Sequence, residues 1–274
     1  MNLTHSRLLI FLTALLAIFI SLGLHSRSPV VREWLVAHES QPDMKIAVFA
    51  DFHFSTQSDL EQLGQLKRQI IREQPDIVLL AGDFIGAQSF YENTSRGTIV
   101  RALEALTHPF QTYAVLGNHD DWDSRDQWIS AFNDSKIQLV ENSVLQTLIN
   151  NKTICIRGLG DFYSSAWKDT PIPVNCGGST ITLTHDPQGL LESKGTLESF
   201  SVAGHTHCGQ IAFPLIGAPV VPTTAPRDMH CGQYKKRYTG ITSGGLGTSI
   251  IPLRWGPNTE PGWEIIQIKH LKQP

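Results

Sequence analysis

The sequence predicts an α/β fold in which a sandwich of two mixed β-sheets is flanked by helices. Two observations support this prediction. In the first half of the chain, buried strand-like runs alternate with helical patterns, as Lys45–Ala50 and Ile77–Ala81 flank the helical pattern of Leu60–Gln74. In the second half, short strand-like runs such as Val144–Ile149 and Lys152–Leu159 follow one another with brief polar turns, which is typical of a more antiparallel sheet.

The elements of the first half are identified by the period of their apolar residues. Continuous apolar runs of strand length indicate buried parallel strands, and Gln111–Leu116 is a third run of this kind. Leu60–Gln74 and Thr98–Leu106 repeat apolar residues three or four positions apart, which indicates helices with one buried face. The three strands are therefore expected to end at the same edge of a parallel sheet.

The second half is expected to form the second sheet. Ile137–Val140 is predicted as one of its strands, and Thr180–Thr184 and Ser201–Ala203 lead into turns that contain histidine. The closing segments Gly240–Ser243 and Trp263–Ile268 are expected to complete this sheet. The sequence has no internal repeat.

Length and charge limit the class of protein. The 274 residues suffice for a short appendage and one large domain with a sizeable core. The net charge of -3 does not indicate the basic surface that is typical of nucleic-acid-binding proteins, so a nucleic-acid partner is not expected.

A charge-free apolar run, Leu8–Leu24, lies near the N-terminus. Its length of about 17 residues is at the short end for a transmembrane helix. A cleaved signal peptide would have a shorter apolar core and a small-x-small site, of which Ser21-Leu22-Gly23 is a mediocre example. We therefore expect residues 1–25 to be a membrane anchor or signal, residues 26–43 a linker and residues 44–274 the large domain. The flanking positive charges nearly balance, so the side of the membrane that this domain occupies stays open.

The chain contains four cysteines, Cys155, Cys176, Cys208 and Cys231. None forms a CxxC pair, so a structural zinc knuckle is not supported. The even count permits two disulfides in an oxidising compartment, and free thiols in a reducing compartment are equally compatible with it.

Five short motifs rich in metal-ligand residue types each follow a strand-like run. They are Asp51-Phe52-His53, Gly82-Asp83, Gly117-Asn118-His119-Asp120, His185 and Gly204-His205-Thr206-His207. Loops at the carboxyl ends of strands are where open α/β sheets build their sites. Residues two apart in an extended segment point to the same side, so each Asp-x-His or His-x-His pair can be presented together. The glycines allow the backbone to bend tightly beside such ligands.

The residue types in these motifs match the needs of phosphate-ester hydrolysis. That reaction requires a hydroxide nucleophile at neutral pH and neutralisation of the non-bridging oxygens, and two divalent ions about 3.5–4 Å apart provide both. The candidate metal ligands are Asp51, His53, Asp83, Asn118, His185, His205 and His207. An imidazole-rich set suits Mn, Fe, Zn or Ni better than Mg, and Mn is the ion we expect. Each motif alone is also explained as a polar turn, whereas their ordered combination favours a metal site.

In this order the motifs resemble those of the calcineurin-like metallophosphoesterase superfamily, and they span almost the whole predicted domain. The resemblance implies a first ion bound by Asp51, His53, Asp83 and His207, and a second bound by Asp83, Asn118, His185 and His205. Asp83 would bridge the two ions. His119 would contact the phosphate or protonate the leaving oxygen, and Asp120 would orient or tune His119.

Two further stretches resemble one branch of this superfamily. Gly209–Gly217 and Gly245–Arg254 resemble the bacterial membrane-associated phosphodiesterases, a branch that includes enzymes similar to the UDP-2,3-diacylglucosamine pyrophosphohydrolases. This implies a phosphodiester or pyrophosphate substrate, such as the lipid-linked UDP-2,3-diacylglucosamine, and a single-pass protein of the bacterial inner membrane. Cys208 departs from the branch, which usually has glycine there, and would place an oxidation-sensitive thiol beside the ions.

Several alternatives stay open at this point. The same chemistry would serve a phosphomonoesterase or a protein phosphatase. A non-catalytic metal-binding scaffold of the same fold is a third possibility, although degenerate members would be expected to lose ligands and every ligand position here is filled. The apolar segment Phe213–Val221 is either packed core or a sheet edge, or else a lipid contact. Trp122 and Trp128 either shape the substrate pocket or pack in the core.

Overall fold

The computed structural model of the chain describes residues 12–13, 28–39, 41–86, 95–176, 179–194, 199–235 and 239–271. Within these ranges, no helix has the length and apolar character needed to cross a membrane. The predicted anchor, Leu8–Leu24, lies outside the described residues except for Leu12 and Thr13.

The strands and helices alternate in the first half of the chain and strands dominate the second half. The strands are β1 (Val30–His38), β2 (Met44–Phe49), β3 (Ile77–Ala81), β4 (Gln111–Val115), β5 (Gln138–Leu139), β6 (Ser143–Ile149), β7 (Lys152–Gly158), β8 (Thr180–Leu183), β9 (Ser199–Ala203), β10 (Gly232–Lys235), β11 (Thr239–Thr242) and β12 (Gly262–His270). The helices are α1 (Gln57–Glu61), α2 (Leu63–Glu73), α3 (Arg96–Thr107), α4 (Asn118–Asn133) and α5 (Gln188–Glu192).

The strands form two mixed sheets, as the sequence predicts. The first sheet has the order β1-β12-β2-β3-β4-β5, and all of its pairings are parallel except that of β12 with β2. The second sheet has the order β10-β11-β9-β8-β7-β6. Its central strands β7, β8, β9 and β11 are parallel, and only the outer strands β6 and β10 pair in the antiparallel direction. The expectation of a more antiparallel second sheet is therefore wrong for its centre.

The first sheet is buried on both of its faces. One face packs against the second sheet, where side chains such as Val48 and Leu79 meet Ile156 and Phe200. The opposite face packs against the helices, and Leu80 is one of its buried residues there. This double burial explains why the central strands read as continuous apolar runs, since neither face needs polar residues.

The N-terminal boundary of the folded domain lies earlier than expected. Val30–His38, which we assigned to the linker, forms edge strand β1 and pairs along its whole length with β12. Trp34 Nε1 donates a hydrogen bond of 2.6 Å to Glu264 Oε2, and Val36 is buried between the sheets. The strand was misread because one side of an edge strand faces solvent, so its polar residues resemble those of a linker.

Two other segments lie in the first sheet instead of the second. Gln138–Leu139 pairs with β4, and Gly262–His270 lies between β1 and β2. In β12, Trp263 and Ile265 join the core under the helices, whereas Ile266 and Ile268 join the core between the sheets. A strand buried on both faces has the same apolar pattern in either sheet, so periodicity alone could not assign it.

Candidate metal centre

The predicted ligands all follow the carboxyl ends of strands. Asp51 and His53 follow β2, Asp83 follows β3, Asn118 follows β4 as the first residue of α4, His185 follows β8, and His205 and His207 follow β9. All seven side chains are buried. The two sheets thus direct residues that are far apart in the sequence to one edge of the sandwich.

The side chains form two adjoining clusters. Ligand atoms of Asp51, His53 and His207 lie within 4.8 Å of one another, and the same holds for Asp83, His185 and His205. Asp83 Oδ2 lies between the clusters, 3.4 Å from His53 Nε2 and 3.3 Å from His185 Nε2. The geometry therefore offers two sites for cations that share one carboxylate.

The ring nitrogens of two histidines are oriented by backbone carbonyl groups. His185 Nδ1 lies 2.6 Å from the oxygen of Ala81, and His205 Nε2 lies 2.5 Å from the oxygen of Pro222. A carbonyl only accepts, so each of these nitrogens carries a proton. The other ring nitrogens, His185 Nε2 and His205 Nδ1, face each other at 3.2 Å. Such outer hydrogen bonds are typical of metal-binding histidines.

Asn118 provides a further oxygen at this site. The residue is buried, and within the described part of the chain its Oδ1 has no hydrogen-bond partner. A buried polar atom without a partner costs about 1–3 kcal/mol. A cation that accepted this oxygen as a ligand would remove that cost.

The backbone at the ligand turns adopts a conformation that side chains rarely take. Positive φ angles occur at Asp51 (51°), His53 (45°), Asp83 (53°), His205 (68°) and His207 (51°). Each such residue costs on the order of 1–3 kcal/mol, and such strain clusters at functional sites. The surrounding fold must therefore hold these turns in place.

Two glycines make room for the carboxylates of the site. A Cβ at Gly117 would lie 2.2 Å from Asp83 Oδ1, and a Cβ at Gly245 would lie 2.5 Å from the Cβ of Asp51. Gly245 also has a φ of 71°. Side chains at either position would displace a predicted ligand.

Burial sets the protonation of the cluster. Burial lowers the pKa of His53 to about 3 and that of His207 well below its ordinary value, so both imidazoles are neutral and able to bind a cation. Burial raises the pKa of Asp51 to about 7, and the nearby charge of Asp83 adds to this effect. Burial also opposes ionisation of Asp83, yet the adjacent His185 holds its pKa below the usual range. Bound cations would relieve the cost of keeping these carboxylates charged.

Asp120 accepts hydrogen bonds from the backbone of two ligand turns. Its Oδ1 accepts a hydrogen bond of 2.9 Å from the amide of Phe84, and its Oδ2 accepts one of 2.9 Å from the amide of Gly117. Asp120 is the third residue of α4, so its side chain folds back over the helix N-terminus as a cap. Its observed contacts therefore join two ligand turns, and the expectation that Asp120 orients or tunes His119 stays a prediction.

His119 lies at the border of the cluster. Its backbone amide donates a hydrogen bond of 2.9 Å to Asp83 Oδ1, and its ring centroid is 4.7 Å from that of His53. Unlike the predicted ligands, His119 is only partly buried. Its imidazole can therefore meet both the cluster and a substrate.

The two tryptophans of α4 lie in different environments. Trp128 is fully buried in the core under the helices. Trp122 is 60% exposed, and its ring lies 5.4 Å from that of His119 and 5.8 Å from that of Tyr163. Trp122 therefore lines the mouth of the site.

Two buried charged residues near the clusters escaped the sequence analysis. Arg254 donates to the carbonyl groups of Gly244 (2.8 Å) and His207 (3.3 Å), so it fixes the turn that carries His207. No local pattern indicates this role. Asp161 follows β7, and within the described residues its Oδ1 lacks a hydrogen-bond partner. The pair Gly160-Asp161 repeats the Gly-Asp pattern of Gly82-Asp83 after a strand, and that repetition could have pointed to it.

The cysteines are paired. Cys155 is bonded to Cys176, and Cys208 is bonded to Cys231. The expectation of an oxidation-sensitive thiol at Cys208 is therefore wrong, because the sulfur beside His207 is already in a disulfide. This disulfide joins the His207 turn to the segment before β10.

Comparisons with known proteins agree with this geometry. Residues 44–209 match the calcineurin-like phosphoesterase family. The chain is 27% identical to the metallophosphoesterase YkuE of Bacillus subtilis (strain 168) over 77% of this chain and 74% of YkuE. It is 25% identical to the phosphodiesterase YaeI of Escherichia coli (strain K12) over 67% of each chain. It is also 25% identical to the UDP-2,3-diacylglucosamine pyrophosphatase LpxG of Chlamydia trachomatis serovar D, over 62% of this chain and 65% of LpxG. The chain thus belongs to the calcineurin-like phosphoesterase family of hydrolases.

Proposed function

We propose that this chain uses two divalent metal ions to hydrolyse a phosphodiester or pyrophosphate bond. The observation that carries the proposal is the position of Asp83 Oδ2, 3.4 Å from His53 Nε2 and 3.3 Å from His185 Nε2. An oxygen between two groups of ring nitrogens is where a bridging ligand would lie. The similarity to the phosphodiesterase YaeI and the pyrophosphatase LpxG favours these two bond types.

The residues at the site fit two ions. One would be held by Asp51, His53, Asp83 and His207, and the other by Asp83, Asn118, His185 and His205. The unpartnered Asn118 Oδ1 and the neutral imidazoles support this assignment. Ions bound there would supply an activated water and would neutralise charge on the phosphate. The imidazole-rich set favours Mn, Fe, Zn or Ni over Mg, and Mn is the ion to test first.

His119 is the proposed general acid. Its amide is fixed by Asp83 Oδ1 and its half-buried ring borders the cluster, so the imidazole can reach the leaving oxygen and give it a proton. The neighbouring Trp122 and Tyr163 would contact the leaving group. Asp120 would act indirectly, since it holds the turns of Asp83 and Asn118 together.

The substrate we propose is lipid-linked, and the domain is anchored to the membrane by the apolar run Leu8–Leu24. Two disulfides support a location on the side of the membrane that faces an oxidising compartment. Alkylation of thiols in intact cells, before and after reduction, tests this location. Labelling of all four cysteines without reduction would contradict it.

The test of the activity is hydrolysis by the full-length chain, purified in detergent, stripped with a chelator and reloaded with Mn. The substrates are an aryl phosphodiester, an aryl phosphomonoester and a UDP-linked acylated sugar. We expect turnover of the diester or the UDP-lipid, dependence on the added ion and loss of turnover in Asp83→Asn. Asp126→Asn is the matched control, because Asp126 is exposed on α4, and it should behave as the natural chain.

A second variant tests the role of His119. His119→Ala should retain the bound metal, measured by elemental analysis, and lose about 10²–10⁴-fold in turnover of an unactivated ester. An unchanged rate would remove His119 from the mechanism. Preference for the monoester would favour the phosphatase alternative, and two bound ions without turnover of any substrate would favour the non-catalytic scaffold.

A further inference from the structure

Two loops beside the metal centre expose apolar side chains to solvent. The first loop contains residues 211–226 and the second contains residues 243–253, and neither stretch has a charged residue. The exposed apolar residues, which we call the apolar rim, are Leu215, Ile216, Val220, Ile250 and Ile251. Single exposed apolar residues are ordinary, but a group of them without charges marks an interaction site. The alternative that the whole Phe213–Val221 segment is packed core is therefore wrong.

The loops are held in place by the fold. Gln210 donates a hydrogen bond of 2.9 Å to the carbonyl oxygen of Ile251 and accepts one of 2.6 Å from the amide of Ser249. The amide of Ala212 donates to the carbonyl of Trp255 at 2.9 Å, and the rings of Phe213 and Trp255 lie 5.4 Å apart. Because this framework fixes both loops, the apolar rim projects from the protein as a defined surface.

The same loops adjoin the metal centre. Pro222, which follows Val220 in the first loop, accepts the hydrogen bond from His205 Nε2. In the second loop, the amide of Gly247 donates a hydrogen bond of 2.6 Å to the carbonyl oxygen of Asp51. A surface that contacts the apolar rim would therefore lie beside the opening of the site.

The start of the described domain after the N-terminal apolar run lies next to the second loop. Pro29 lines a cavity of about 430 Å³ together with His53, Pro252 and Leu253. In the sequence, the apolar run ends at Leu24, five positions before Pro29. The described part of the chain that follows the apolar run thus begins beside the second loop.

We propose that the apolar rim inserts into the surface of a lipid bilayer and presents the metal centre to phosphate groups at that surface. The proposal rests on the proposed function insofar as the substrate is lipid-linked. A bilayer suits a rim without charges better than a protein partner, whose contact would call for polar residues around an apolar centre. The connection to the apolar run places the bilayer on the same side.

The test uses the full-length chain in phosphatidylcholine and phosphatidylglycerol vesicles. All four cysteines are in disulfides, so a cysteine introduced by Leu215→Cys or Ile250→Cys can be labelled specifically with an environment-sensitive fluorophore. Val174→Cys is the matched control. Val174 is also a fully exposed apolar residue, but it precedes β8 at the amino end, whereas His185 follows the carboxyl end of that strand.

We expect bromine on the lipid acyl chains to quench the label at positions 215 and 250 at least threefold more than at position 174, with iodide showing the reverse order. Equal quenching by iodide at all three positions would overturn the proposal. Shielding of positions 215 and 250 from both quenchers would also overturn it, because the rim would then be covered by protein. Turnover of a soluble aryl phosphodiester by the natural chain is measured separately, so a failed activity and a failed membrane contact are distinguished.

Discussion

Replacement of Asp120 separates its structural role from a role in tuning His119. The carboxylate accepts hydrogen bonds from the buried amides of Phe84 and Gly117. Asp120→Ala leaves both amides without an acceptor, and each orphaned buried donor costs about 1–3 kcal/mol. The expected loss in the free energy of unfolding is therefore about 2–6 kcal/mol, which is a large part of the usual 5–15 kcal/mol.

Asp120→Asn provides the graded variant. Its amide oxygen can accept from one of the two amides, and its NH₂ group then faces the other, so the expected loss is about 1–3 kcal/mol. Asp126→Ala is the control, because Asp126 lies on the same helix with its side chain exposed, and it should change stability by less than about 0.5 kcal/mol.

The assay is urea unfolding of the full-length chain in detergent, followed by tryptophan fluorescence, with metal content measured on each folded variant. We expect Asp120→Asn to lower both stability and metal affinity while the pH profile of turnover keeps its shape. If Asp120→Ala and Asp126→Ala unfolded at the same urea concentration, the capping argument would be refuted. A shifted pH profile with normal stability would instead support the tuning of His119.

Two further substitution pairs test the packing of the site. Gly245→Ala should abolish metal binding in calorimetry, because the added Cβ would lie 2.5 Å from the Cβ of Asp51. Gly217 also has a positive φ, but a Cβ there would meet nothing within 4 Å. Gly217→Ala should therefore lower the free energy of unfolding by only about 1–2 kcal/mol. Equal metal affinity in the two variants would contradict this reasoning. Trp128→Ala should cost about 3–5 kcal/mol of stability, because the residue is fully buried in the core. Trp122→Ala should leave stability unchanged and raise the KM for substrates with a bulky leaving group, and an unchanged KM would remove this residue from the substrate site.

The positions of the candidate ligands could be predicted because each depends on short-range information. A strand-length apolar run followed by Asp-x-His or Gly-Asp places those side chains at a sheet edge, whatever the order of the strands. The structure brings Asp51, Asp83 and His185 together as that reasoning requires. Their role as metal ligands stays a prediction.

The features that the sequence did not reveal depend on long-range contacts. β12 carries apolar residues on both faces, so nothing in its pattern indicates that it lies between β1 and β2. β1 is held by partners that come more than 220 residues later, including Glu264. Arg254 acts through carbonyl groups of a folded turn, and the direction of the Asp120 side chain follows from the start of α4 at Asn118. Only the assembled fold defines these contacts.

The candidate centre draws its ligands from both layers of the sandwich. Asp51, His53, Asp83 and Asn118 come from turns of the first sheet, and His185, His205 and His207 come from turns of the second. Ions bound between them would act as a cross-link that fastens the two sheets at one edge. A chain in which only one sheet has formed would offer only part of the ligand set. Binding of the ions would therefore indicate that the two sheets have packed against each other. Loss of the ions would loosen this edge first, and amide hydrogen exchange would rise there before it rose in the apolar layer between the sheets.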